Sequence, residues 1–142
     1  MLAATGGSSV GGGQVFAIHQ NGKVDVIGSY AGPGGAENIT VAPPRFGSAS
    51  GAVLIAVDED HTSGRVLAMD RRGRVQTIAS GFGTGVNPID VIEGSPAKRS
   101  PAAPGGQFWL IRPAGKGKFE TLTVTTDLPQ QAWNLEGSTY VR

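Results

Sequence analysis

Short apolar runs alternate with polar turns along the chain, at a spacing too tight for long helices. Val15-Phe16-Ala17-Ile18, Val53-Leu54-Ile55-Ala56-Val57 and Val66-Leu67-Ala68-Met69 have strand length and are flanked by Gly, Asn or charged residues. In each run the apolar residues stand at successive positions, not alternate ones, so both faces of the strand must be buried. The pattern predicts short strands in sheets that are covered on both sides, which stacked sheets achieve.

The runs also repeat. Gly13–Ser29 (GQVFAIHQNGKVDVIGS) overlays Gly64–Ser80 (GRVLAMDRRGRVQTIAS) without a gap at an offset of 51 residues, with seven of seventeen positions identical. Each copy is an apolar run, a glycine-containing polar turn and a second apolar run, which predicts a β-hairpin. In the first copy Asn21-Gly22 is expected to supply the positive-φ residues of a tight turn. Beyond the hairpin, Glu37-Asn38-Ile39-Thr40-Val41 and Asn87-Pro88-Ile89-Asp90-Val91 fall into the same order at an offset of 50. Gly51–Asp58 (GAVLIAVD) adds a strand before the second hairpin. Glu37–Ser80 therefore reads as one unit of four antiparallel strands, the pattern of a β-propeller blade.

On these residues the chain resembles the six-bladed propellers of the NHL and gluconolactonase-like kind. Their blades run roughly Pro-x-Gly-Ile-Ala-Val, Leu-Tyr-Val-Ala-Asp, Arg-Ile-x-x-Ile-Asp, then Gly and a closing strand. Against these stand Asn87–Val91, Leu54-Ile55-Ala56-Val57-Asp58, Gly64–Asp70 and Gly73-Arg74-Val75. The resemblance covers Gly13 to Val91 and, more loosely, the rest. It implies an all-β fold of antiparallel four-stranded blades forming an incomplete propeller ring. The expected organisation is a flexible leader over 1–12, a half blade over 13–36, a full blade over 37–80 and a degenerate blade over 87–142. The last carries a Pro-rich loop insertion over 95–106 (Ser95–Gly106, SPAKRSPAAPGG). Gln107–Ile111 and Phe119–Val124 are strand-like, as strands two and three or three and four of that blade. About two and a half blades do not close a ring, for which four is the usual minimum. Three resolutions stay open: the remainder of a longer propeller, self-association of copies, or a sandwich of sheets.

Composition narrows the function classes. Twelve Lys and Arg against eleven Asp and Glu leave a formal charge of +1, so no overall field draws nucleic acid or anionic lipid. No apolar run approaches the roughly 18 residues of a membrane-spanning helix. Without cysteine there is no disulfide, thiolate nucleophile or Cys-ligated metal. Glycine and serine richness with low charge leans toward a secreted or periplasmic setting.

No sequential catalytic motif is present. Gly47-Ser48-Ala49-Ser50-Gly51 puts Ala where a nucleophile elbow needs Ser, and Gly115-Lys116-Gly117-Lys118 lacks the Ser or Thr of a phosphate loop. His19 and His61 sit at turns without zinc spacing. Asp58-Glu59-Asp60-His61 offers oxygen ligands but lacks the EF-hand pattern, and Arg71, Arg72 and Arg74 read as a charged turn. Trp109, Trp133, Phe82 and Phe108 read as core residues. The resemblance points to Glu37 and Asn87, at equivalent positions where an innermost strand begins, with Asp90 as a third ligand for a divalent cation such as calcium. Two function classes follow. One is a non-catalytic propeller segment acting as a binding or interaction scaffold; the other is a metal-dependent hydrolase of sugar lactones or related esters.

Overall fold

The computed structural model describes residues 1–5, 12–59, 63–82, 86, 90–91, 98–103 and 107–125. Among these residues it is all-β, with three antiparallel sheets that do not close on one another. The first sheet has the order β1-β2-β3, from Leu2–Ala4, Gly13–Ile18 and Val24–Tyr30. The central sheet is a four-stranded meander, β4 (Gly35–Val41), β5 (Val53–Glu59), β6 (Ser63–Met69) and β7 (Val75–Phe82). The third repeats that meander with β8 (Asp90–Val91), β9 (Lys98–Ala103), β10 (Gln107–Gly115) and β11 (Lys118–Thr125). Gln107–Ile111 and Phe119–Val124 therefore belong to the third and fourth strands of their sheet.

The run VLIAV explains the stacking. In β5, Val53, Ile55 and Val57 join Leu67 and Met69 of β6 in a core shared with Val15 and Tyr30 of the first sheet. The intervening Leu54 and Ala56, with Val66 and Ala68, join a second core containing Phe46, Phe82, Val86 and Ile111. Leu54 and Ile55 are both fully buried. Strand geometry sends neighbouring side chains to opposite faces, so an unbroken apolar run feeds two cores at once. Burying each such side chain contributes roughly 1.5–3 kcal/mol. The inner strand β4 lies against both β1 and β8, and the outer strand β7 lies against β11, as in successive blades.

The duplicated hairpins fold alike. Ile27 in β3 and Ile78 in β7 are each the extra residue of a β-bulge, one copy apart. Both turns are three-residue loops closed by the same backbone bonds: Gly22 N–H to His19 C=O and Gly73 N–H to Asp70 C=O, each 3.0 Å. Only the glycine has positive φ, +82° at Gly22 and +75° at Gly73. The expectation of two positive-φ residues at Asn21-Gly22 is therefore corrected. A type I turn needs just one left-handed residue at its end, and Asn21 instead uses its side chain to accept from the Lys23 N–H. The two-residue turn occurs in the third sheet, where Lys116 and Gly117 both have positive φ.

Two expected loops are strands. Within the expected leader, Leu2–Ala4 pairs with Val15–Ala17 as β1, and Thr5 N–H continues the ladder to Gln14 C=O at 3.0 Å. The first sheet thus has three strands where a two-stranded half blade was expected. Inside the expected loop over 95–106, Lys98–Ala103 pairs with both β8 and β10. The ladder is irregular between Gln107 and Trp109, opposite Pro101, which has no N–H to donate.

Candidate functional site

Of the three expected ligands, Glu37 is described fully, Asp90 by its backbone, and Asn87 lies outside the described residues. Glu37 is exposed, at a bulge where Ala36 pairs with Val57 and Asn38 with Ala56. It lies near the start of β4, two residues after Gly35 opens the strand. Asp90 opens β8 opposite Arg99. The structure brings β4 and β8 side by side, and so brings together the strands that carry Glu37 and Asp90. Among the described residues no three His, Asp or Glu side chains converge on one point.

Near the same end of the central sheet, the acidic hairpin holds a neighbouring loop in place. Glu59 pairs with Arg65 across β5 and β6 at 3.0 Å and accepts from Ser63 Oγ at 2.8 Å. Arg65 Nη2 also donates to the backbone carbonyls of Ala31 at 2.9 Å and Pro33 at 3.1 Å, in the connection between the first and central sheets. That connection runs so close to the guanidinium that a Cβ on Gly32 would lie 2.6 Å from Arg65 Nη2. Arg65 Nε is buried and has no hydrogen-bond partner among the described residues. Asp60 and His61 of the same hairpin lie outside the described residues. Tyr30 closes this region, donating to Thr5 C=O at 3.2 Å, and burial pushes its phenol pKa up.

At the opposite end, a cavity of about 280 Å³ is lined by Ser48, Ala52, Asp70, Arg74, Val75 and Gln76, among others. Ser48 lies in the 3-10 turn Gly47–Ala49. Ser48 Oγ and Gln76 Nε2 both reach Gly117 C=O, each at 3.4 Å, and so tie the turn between β10 and β11 to the central sheet. Asp70 accepts from the N–H groups of Arg72 and Arg74 and pairs with the Arg74 guanidinium at 2.6 Å. The Arg74 backbone N–H, followed by its guanidinium, holds the Asp70 carboxyl below the usual carboxylate range. In the equivalent first-sheet turn, Lys23 and then His19 do the same for Asp25. The His19–Asp25 pair at 2.8 Å is exposed. The basic turn is thus partly engaged through Arg74, while Arg71 and Arg72 are exposed.

Sequence reasoning missed Arg65, because a lone Arg after a glycine carries no motif; its role depends on a loop more than thirty residues away in the chain. Phe82 is a core residue as expected, and Trp133 lies outside the described residues. Compared with protein-family models and with curated protein sequences, the chain matches none.

Proposed function

We propose that this chain is a non-catalytic segment of a β-propeller, a rigid stack of blades that serves as a binding or interaction scaffold. The observation that carries this reading is the use of its polar side chains as braces. Glu59 with Arg65, Asp70 with Arg74, and Asp25 with Lys23 and His19 each fix a turn or an inter-sheet connection. Turns held in this way present a defined surface on a stable framework, which recognition requires.

The side-by-side placement of β4 and β8 favours a second reading, a metal-dependent hydrolase of sugar lactones or related esters that draws on Glu37, Asn87 and Asp90. There a bound calcium would polarise the carbonyl and a carboxylate would act as base. Calorimetric titration with calcium, followed by a lactone panel, separates the two. The scaffold reading expects neither stoichiometric uptake nor turnover. Calcium uptake that is lost in Glu37→Gln would establish the metal site and overturn it.

A further inference from the structure

The internal repeat compares two surfaces of the same kind, one covered and one open. In the central sheet, Leu67 is 3% exposed and Met69 is fully buried, both beneath the first sheet. One copy earlier, Phe16 and Ile18 occupy the corresponding positions on the outer face of the first sheet, where they are only partly buried. Register places Ala3 and Val26 beside Phe16, and Val24 beside Ile18, across all three strands. Val24 and Val26 are 54% and 58% exposed. The turn glycines make the same contrast. A Cβ on Gly73 would lie 2.7 Å from the Ile27 carbonyl oxygen of the sheet above, whereas a Cβ on Gly22 meets nothing within 4 Å. The outer face of the first sheet is therefore the counterpart of an interface that already exists between the first and central sheets. What fits it is another sheet of this repeat.

The third sheet carries a second open face. Phe119 packs inward against Phe46, so strand alternation turns Leu122 outward, and it is 37% exposed. Leu110 stands opposite Leu122 in register, with Arg99 and then Asp90 next in the row across β9 and β8. Arg112 pairs with Glu120 beside this row, so the face mixes apolar and charged positions. We propose that a second copy of this chain lays its third sheet over the outer face of the first sheet, head to tail and reciprocally. Two copies of the three described sheets then make one ring of six, within the usual four to eight of closed propellers. The arrangement buries the open apolar face of the first sheet beneath the Leu110–Leu122 row of the third, so that none of the described sheets stays uncovered. It rests on the scaffold reading and names the partner.

Sedimentation equilibrium with Ile18→Lys, Leu122→Lys and an equimolar mixture of the two tests it. The wild type is expected at twice the 14.5 kDa of one chain. Each variant should raise the dimer dissociation constant at least about tenfold, since either places a charge in an apolar contact. Mixing them should restore part of the dimer, because one of the two reciprocal contacts then joins an unaltered first sheet to an unaltered third sheet. Leu122 is exposed, so L122K keeps the test open if I18K loses its strand signal in circular dichroism. A wild-type chain that stays monomeric up to about 100 µM overturns the proposal. So does an L122K chain that dimerises like the wild type. Neither result alters the calcium titration, so the scaffold reading stands or falls separately.

Discussion

Gly22 and Gly34 both have positive φ, +82° and +91°, yet they answer to different constraints. At Gly22 the requirement is local, since open space surrounds the missing Cβ. At Gly34 a Cβ would lie 2.1 Å from the Asp58 carbonyl oxygen, where no side chain fits without moving the connection between two sheets. Gly22→Ala is expected to cost about 1 kcal/mol, the strain of a left-handed non-glycine residue. Gly34→Ala should cost clearly more, about 3 kcal/mol, because it adds a backbone clash to the same strain. Urea unfolding of the two variants checks the order, and equal midpoints would contradict it. The turn glycine at Gly22 is legible from its neighbours in the chain. The crowding at Gly34 is not, because the atom it meets belongs to another strand.

At the scale of elements, the two duplicated turns share a backbone but differ in what steadies them. In one, Asn21 and Asp25 hold Lys23; in the other, Asp70 does both tasks for Arg74. Asp25 and Asp70 both have folded-state pKa values below the ordinary carboxylate value. A lowered folded pKa means the unfolded chain binds the proton more readily, so these groups favour the fold above the unfolded pKa. That contribution fades as pH falls from about 4 through the folded values. Stability measured by urea midpoint should therefore decline below about pH 4, and Asp25→Asn with Asp70→Asn should flatten the decline. An unchanged acid limb in the double variant would show that these two carboxylates are not responsible. Because both pairs are exposed, the expected effect is modest.

At the scale of the whole molecule, the central sheet differs from a sheet with one wet face. Leu54 and Ile55 are neighbours in sequence, point to opposite sides and are both fully buried. Leu54→Ala and Ile55→Ala are each expected to cost about 3 kcal/mol, whereas a one-sided sheet would confine such a loss to one of them. Chemical denaturation of both variants decides this, and a cost near zero for either would place its face in solvent.

The unbroken apolar runs and the offset of 51 residues were enough to establish an all-β chain of stacked antiparallel sheets, because burial on two faces and hairpin turns are written in adjacent residues. The recruitment of Leu2–Ala4 and Lys98–Ala103 as strands was decided in three dimensions. Their pairing rests on backbone hydrogen bonds offered by neighbouring strands, which ask for no periodic side chains. The same holds for the exposed setting of Glu37 and for Arg65 reaching Ala31 and Pro33. Contacts between distant segments depend on where the folded sheets bring them, and local pattern carries no record of that distance.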